Sequence, residues 1–260
     1  MVSSNKVAII TGSARGIGKG CALALAEAGY NILIHDYIDE TSVKKSEETV
    51  EEIKKLGVDA VNFNCDIADL SKHKELFQVA LNRWGRVDCL VSNAGVSVMH
   101  RGDILDVTTE SFDRCLKVNT RATFFLLQEC AKVFMAQPKT EAKRTIVVIS
   151  SSNAEMVSID RSEYCVSKRA NSMVAKLFAL RLIKESVAVF EIRPGLIMTE
   201  MTAPSKAKYD KLIAEGMVPE GRWGYPKDIG ITVRAMAEGL LPYTCSLAVP
   251  IDGGMSLPNY

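Results

Sequence analysis

Histidine is scarce in this chain, and its cysteines follow no pattern. Only His35, His73 and His100 occur in 260 residues. No HExxH pair is among them, so zinc-hydrolase and Ser-His-Asp mechanisms begin with few ligands or bases. The cysteines (Cys21, Cys65, Cys89, Cys115, Cys130, Cys165 and Cys245) are odd in number and lack CxxC spacing. That argues against a disulfide framework or a zinc site and for reduced, mostly buried thiols. No apolar run reaches the ~18 residues that a membrane span needs. The opening MVSSNKVAIITG lacks the apolar core and cleavage site of a signal peptide, so a cytoplasmic location is expected. A net charge of +1 makes no electrostatic case for nucleic acid or an anionic membrane surface. Internal repeats and low-complexity tracts are missing as well.

What is present is an ordinary globular composition, 47% apolar and 24% charged, arranged as alternating short β-rich runs and longer helical patterns. Strands are expected at Lys6–Ile10, Asn31–His35, Ala60–Asn64, Val87–Val91, Thr145–Ser150, Val187–Ile192 and Leu247–Ile251. Helices are expected at Gly16–Ala28, Glu40–Leu56, Leu70–Arg83, a long one ending near Ala136, and Glu163–Ile183. Runs such as VAIIT, CLVS and IVVIS are apolar throughout, as parallel strands covered on both faces must be. Strands separated by helices imply right-handed crossovers and a doubly wound sheet. The stretch AQPKTEAKR (136–144) reads as a surface loop. The expectation is one α/β domain over residues 1–260, with a parallel sheet of about seven strands flanked by helices.

The first strand runs straight into TGSARGIG, residues 11–18, and then into a helix. Glycines there let the backbone turn sharply and approach a pyrophosphate, and the helix start offers free N–H groups and a positive dipole end. The spacing Gly12-x-x-x-Gly16-x-Gly18 differs from the commoner GxGxxG, and its strand-to-helix context is what points to a dinucleotide. Asp36 closes the second strand, where a carboxylate can accept hydrogen bonds from the adenosine ribose and repel a 2′-phosphate. At ~4 Å and an effective dielectric near ~20, one such charge pair amounts to about 4 kcal/mol. Arg15 pulls the other way, since a guanidinium in the turn can pair with that phosphate. The balance favours NAD over NADP.

With these motifs in place the chain resembles the classical short-chain dehydrogenase/reductase family over nearly its whole length. TGSARGIG matches the family's cofactor turn, CDIAD carries Asp66 and Ile67 at the adenine position, and SNAG (92–95) matches NNAG, with Ser92 replacing the first asparagine. KVNT places the helix asparagine, and SSS (150–152), YCVSK, RPGLIMTEM and VPIDGG follow in order. The resemblance implies a Rossmann fold. It implies cofactor contacts from Gly12, Ser13, Arg15, Gly16, Ile17, Gly18, Asp36, Asp66, Ile67, Asn93, Ala94, Gly95, Pro194, Gly195, Ile197 and Thr199. It also implies a catalytic set of Ser151, Tyr164 and Lys168, the last two also touching the cofactor, with Asn119 supporting a relay water. Family spacing puts the serine thirteen positions before the tyrosine, which selects Ser151, and strand alternation points Ser150 and Ser152 elsewhere. Relatives commonly form tetramers through two long helices and the C-terminal segment, so a homotetramer is expected.

The chemistry explains the residue types. Hydride transfer at a carbonyl carbon leaves the oxygen needing a proton, and the protein supplies the proton and the position. A phenol near ~10 would have to fall by about 3 pKa units to work at neutrality, or about 4 kcal/mol. One ammonium ~5 Å away gives about 3 kcal/mol at a dielectric of ~20 but under ~1 in water, so Lys168 can activate Tyr164 only in a dry site. Alone, a Tyr–Lys pair at i, i+4 is ordinary helix surface and a serine run after a strand is a turn; the joint pattern assigns them. Cys165 reads as a packed thiol and His100 as solvated.

The substrate pocket is expected from residues 97–101, 153–161 and the segment after Thr199. His100, Glu155 and Arg161 would be polar there, and Met156, Met198 and Met201 apolar. A lid around 199–218 should carry its lysines outward with Leu212 and Ile213 inward. A small polar substrate (a sugar, polyol or hydroxy acid) is preferred. The alternatives are a 3-oxoacyl-[acyl-carrier-protein] reductase, a label common among similar bacterial chains, and a cofactor-binding regulator without turnover.

Overall fold

The structure, a computed structural model, describes residues 4–139 and 144–257. Seven strands, β1 (Val7–Thr11), β2 (Asn31–Asp36), β3 (Ala60–Asn64), β4 (Cys89–Ser92), β5 (Arg144–Ile149), β6 (Val187–Pro194) and β7 (Ala248–Ile251), form one sheet. All neighbours are parallel, in the order β3-β2-β1-β4-β5-β6-β7. Winding proceeds outward from β1 one way and from β4 the other, so crossovers leave on opposite faces and a crevice opens between the C-terminal ends of β1 and β4.

Strand alternation divides the core in two. Val7, Ile9, Leu33, Leu90, Ile146, Val148 and Val189 face α3 (Ser71–Trp84), α5 (Thr123–Ala136) and α6 (Ser162–Leu182). Ala8, Ile10, Ile32, Ile34, Val91, Val147, Phe190 and Ile192 face the other way, onto α1 (Gly16–Glu27), α2 (Glu40–Lys54) and α8 (Pro226–Ala237). Period-2 strands covered on both faces are why these runs look uniformly apolar. Side-chain caps start α2 and α4 (Thr109–Cys115). Asp39 accepts from the Ser42 amide in α2, and Thr108 accepts from the Ser111 amide in α4.

Three expectations are corrected. First, Val87 is not in β4, because the Gln137 carboxamide takes both its backbone groups: its N–H donates to Oε1 at 2.9 Å and its carbonyl accepts from Nε2 at 3.0 Å. Second, the ends of the AQPKTEAKR stretch are not surface loop, although residues 140–143 lie outside the described residues. Gln137 is occupied as just described, and Arg144 is buried at the start of β5, donating to the carbonyls of Phe134 and Pro138. Third, the long helix ending at Ala136 is interrupted. Between α4 and α5, residues Leu116–Ala122 form a wider π-helical turn holding Asn119, a distortion common beside functional sites.

After β6 the chain forms a short 3₁₀ turn, Ala203–Ser205, and α7 (Lys206–Ala214). Tyr209 and Ile213, one turn apart, pack with Val218 and Trp223 in a small core of their own, with Leu212 against it. The Trp223 indole N–H donates to Asp210 at 2.7 Å, tying the far end of the segment back to the helix. Lys206, Lys208 and Lys211 face outward. On α6, Val166, Met173, Leu177 and Leu180 form an exposed apolar stripe at spacings that keep them on one face. Among the described residues no helix is long and apolar enough to cross a membrane.

Candidate active site

A cleft of about 360 Å³ lies over the C-terminal ends of β1, β4, β5 and β6. Its floor begins with the glycine turn. Gly12 and Gly16 have positive φ, 64° and 56°, which residues with a Cβ rarely adopt. A Cβ on Gly12 would meet the Ala94 backbone at 2.9 Å, and one on Gly18 would lie 2.1 Å from the Gly12 carbonyl oxygen. The turn is therefore packed too closely for side chains, and α1 starts from Arg15 with no side-chain cap and no acidic group in its first turn. Its N–H groups and dipole are left for an anion.

Asp36 borders the same cleft. Its Oδ2 accepts from the Ala14 amide at 3.0 Å and its Oδ1 from the Tyr37 amide at 2.8 Å, so the carboxylate is fixed in direction with lone pairs to spare. These features fit a dinucleotide: an uncapped helix start for a pyrophosphate and an oriented carboxylate for ribose hydroxyls. Arg15, Gly16, Ile17, Asn93, Ala94, Gly95, Pro194, Gly195, Ile197 and Thr199 also line the cleft.

Five expected site residues do not line it. Ser13 is fully buried and spends its hydroxyl on the Ile10 carbonyl at 2.7 Å. Gly18 serves the turn's packing. Asp66 caps its own turn through the Ala68 amide, and Ile67 is buried beside it. Asn119 is fully buried, and both N–H donors of its carboxamide are used, on the Val96 carbonyl and the Ser167 hydroxyl, while Oδ1 accepts from the Val96 amide. That carboxamide fixes the loop after β4 against α6 and has no donor left for a relay water. Asn93, though on the wall, turns its carboxamide onto the carbonyls of Thr11 and Gly12, both at 2.8 Å.

Ser151, Tyr164 and Lys168 do come together. Ser150 is committed to Glu191 at 2.5 Å, while Ser151 heads a 3₁₀ turn, its Oγ accepting from the Asn153 amide at 3.1 Å, and lines the cleft with Tyr164. Lys168 is buried, with its ammonium 5.6 Å from the Tyr164 ring centre and donating to the Ile149 carbonyl at 3.2 Å. The bare α carbon of Gly95 makes room for it, since a Cβ there would stand 3.4 Å from Nζ and 3.0 Å from Asn119 Oδ1. Burial raises the Tyr164 phenol above its usual range, against smaller opposing effects of Ser151 and Arg161. Burial also lowers Lys168 to about 8. Dryness thus acts first against both charges, disfavouring the phenolate and the ammonium alike.

Over the other end of the cleft stand two guanidinium groups. Arg161 donates to Asn153 at 2.8 Å and lies over the Tyr164 ring at 5.7 Å. Arg101 donates to the Tyr209 hydroxyl at 3.2 Å and pairs with Asp160 at 3.6 Å. Met156 and Met201 are on the wall, joined by Val157, Tyr209, Met217 and Met255. Glu155 is turned away to Arg169 and Arg193, His100 is exposed outside the cleft, and Met198 packs into the small core under α7. Arg101 ends the expected 97–101 stretch, and Tyr209, from the expected 199–218 segment, reaches the wall at i, i+4 from the buried Ile213. Among the described residues no group of three or more His, Cys, Asp or Glu could hold a metal ion.

Comparison with known proteins agrees with this architecture. The family model described as Enoyl-(Acyl carrier protein) reductase matches residues 12–256. Short-chain dehydrogenase/reductase GME11373 of Pestalotiopsis microspora is 35% identical, over 96% of this chain and 94% of that protein. The 2-dehydro-3-deoxy-D-gluconate 5-dehydrogenase of Dickeya dadantii (strain 3937) is 31% identical over the same shares. Among solved structures, a 3-oxoacyl-[acyl-carrier protein] reductase from Brucella melitensis in complex with NAD superposes with a TM-score of 0.94 at 38% identity, covering 99% of both chains. A putative 2-deoxy-D-gluconate 3-dehydrogenase from Agrobacterium tumefaciens with bound NADP gives 0.85 at 28%, covering 97% of both.

The buried lysine has a consequence for stability. A free lysine titrates near ~10.5, so lowering it to about 8 makes the charged form cost the folded chain about 3 kcal/mol. The cost is complete below about pH 8 and fades as pH rises to about 10.5, because there the unfolded chain binds the proton that the folded chain has released. Lys168→Met is expected to raise the Tm of the cofactor-free protein by several degrees at pH 7, and the gain should shrink steadily above pH 8. Thermal melts of both proteins across that range check it.

Proposed function

The chain belongs to the short-chain dehydrogenase/reductase family of oxidoreductases, and on that premise we propose an NAD-dependent enzyme that interconverts a secondary alcohol and a ketone in a small hydroxy acid. The observation that carries the reading is the pair Arg101 and Arg161 on the same wall as Ser151, Tyr164 and Lys168. A carboxylate held by guanidinium groups would orient the rest of a short substrate toward the serine and tyrosine hydroxyls. The sugar-acid dehydrogenase names among its relatives are consistent with this chemistry. Asp36, oriented by two backbone amides, supports NAD over NADP.

When bound, the nicotinamide supplies or accepts the hydride. The chain's own groups handle the oxygen. Ser151 donates a hydrogen bond to it and holds it beside the phenol. Tyr164 gives the proton in reduction and takes it in oxidation. With the phenol favoured by burial, Tyr164 is ready as the proton donor. Lys168, held by the Ile149 carbonyl, would have N–H groups left to hold the cofactor ribose and supplies positive charge beside the phenol. Asn119, bonded to both backbone groups of Val96 and to the Ser167 hydroxyl, holds the loop carrying Gly95 against α6 and so positions that lysine. The segment 199–218, seated on its own small core, serves as a lid that excludes water. Reduced thiols at all seven cysteines suit a cytoplasmic setting.

A second reading, reduction of a 3-oxoacyl thioester, is favoured by the Brucella structure and by the apolar wall of Met156, Val157, Met201 and Met217. An absorbance screen with NAD and NADP against hydroxy acids, polyols and 3-oxoacyl thioesters separates the two. The expected outcome is highest kcat/KM with NAD and a hydroxy acid, and a higher value with a thioester and NADPH would replace the first reading by the second.

Three further outcomes are expected. Tyr164→Phe should lower turnover by about 10²–10⁴-fold while leaving NADH affinity nearly unchanged in a fluorescence titration. Arg161→Leu and Arg101→Leu should each raise KM for the acid substrate by about 10–100-fold, as loss of a charge-assisted hydrogen bond requires, with little effect on an uncharged polyol. We also infer a homotetramer that covers the exposed stripe on α6. Light scattering should give about four times the chain mass, and Leu177→Glu with Leu180→Glu should reduce it without unfolding the chain.

A further inference from the structure

Glu200 follows Thr199 directly and is the one acidic residue in the RPGLIMTEM stretch (193–201). Its carboxylate accepts from Lys45 Nζ at 2.5 and 2.7 Å and pairs with Arg15 at 3.4 Å. Three segments far apart in sequence meet there: the glycine turn, α2 and the start of the lid. All three side chains are partly exposed, and exposed ion pairs add little to stability. What distinguishes this bridge is its position. Arg15, Glu200 and Asp36 line the same end of the cleft, where the adenosine ribose would lie. Asp39 is close by, held below the usual carboxylate range by Ser42 and, in smaller part, by Arg15.

Arg15 is the cation that a sequence reading offers to a 2′-phosphate, and Lys45 lies within reach of the same carboxylate. Glu200 occupies both. We propose that Glu200 is a cofactor-specificity determinant, which enforces NAD by neutralising Arg15 and Lys45 so that neither is free to receive a 2′-phosphate. This rests on the reading of the cleft as an NAD site, and it assigns the selectivity to two groups of different kind. Asp36 acts by direct repulsion, whereas Glu200 acts by keeping two attractive groups occupied. Local charge makes the same point: Arg15 and Lys45 contribute +2 against −3 from Asp36, Asp39 and Glu200. Removing Glu200 brings that sum from −1 to zero and frees two donors.

The test is binding, without turnover. Dissociation constants for NADH and NADPH are measured by fluorescence titration at low salt for the wild type, Glu200→Gln, Lys45→Met and the double variant. Glu200→Gln should tighten NADPH by about 10-fold, the size expected for freeing one or two rim cations in partly screened surroundings, and change NADH by less than about 3-fold. Adding Lys45→Met should remove much of the NADPH gain, and raising the salt concentration should erode it. An NADPH affinity unchanged by Glu200→Gln, or a gain that survives both Lys45→Met and high salt, overturns the proposal. A wild type that prefers NADPH would instead sink the NAD reading based on Asp36, while the ratio between wild type and Glu200→Gln would still decide the role of Glu200. Thermal melts of the variants confirm that each remains folded.

Discussion

The separation of β1 from β4 is the constraint on which the rest of the structure depends. These adjacent parallel strands send their chains to opposite faces of the sheet, so their C-terminal ends would splay unless something joined them. The join is polar and short. Thr11 Oγ1 accepts from the amides of Asn93 and Ala94 at 3.0 and 3.1 Å, and the Asn93 carboxamide reaches back to the carbonyls of Thr11 and Gly12. Bare α carbons at Gly12 and Gly18 are required because a Cβ at either would collide with this knot. The glycines therefore shape the protein before they shape anything for a ligand. The uncapped start of α1 and the direction of the loop after β4, which carries Gly95 to Lys168, both follow from that join.

Electrostatics at the other end of the crevice show why one pairing is not enough to make an acid. In the sequence, Lys168 one turn from Tyr164 suggests a charge lowering a phenol. In the folded chain the dominant effect on both is loss of water, which opposes phenolate and ammonium alike. Low dielectric strengthens the attraction between the two charges, but it first disfavours creating them. The favoured state is a neutral phenol beside a lysine whose charge is costly. A protein retains a costly buried charge where it serves a purpose, and the Ile149 carbonyl that accepts from Nζ holds it in one place. Asn119 contributes through Val96 and Ser167 in the same manner, by restricting positions.

Much of this was legible in the sequence because it is carried by local pattern. The seven strands, their parallel sense and the strand–glycine–helix turn all follow from apolar runs and chain order, and the choice of Ser151 as the partner of Tyr164 came from the family resemblance. The unread portions depend on contacts between distant residues. Val87 looks like strand until Gln137, fifty positions later, takes its backbone groups. Arg144 looks like loop until its guanidinium is found in the carbonyls at the end of α5. Glu155 looks like a pocket residue, yet Arg169 and Arg193 draw it away. Ser13 looks like a cofactor contact, and its hydroxyl is used inside the protein on the Ile10 carbonyl. A polar side chain's type predicts that it will be satisfied, and only the fold determines by whom.

The segment leaving β6 binds the two ends of the cleft into one device. Thr199 lies opposite Gly16, which has its bare carbon facing the threonine methyl. Glu200 reaches toward the glycine turn and α2, and Met201 belongs to the substrate wall. Beyond them α7 presents Tyr209 to Arg101. Three consecutive residues thus touch the cofactor end, its charged rim and the substrate end. Only a few residues separate the Glu200 bridge from α7, which is held as a unit by the small core under it. The glycine turn, α2 and the small core under α7 are therefore joined through one short stretch of backbone.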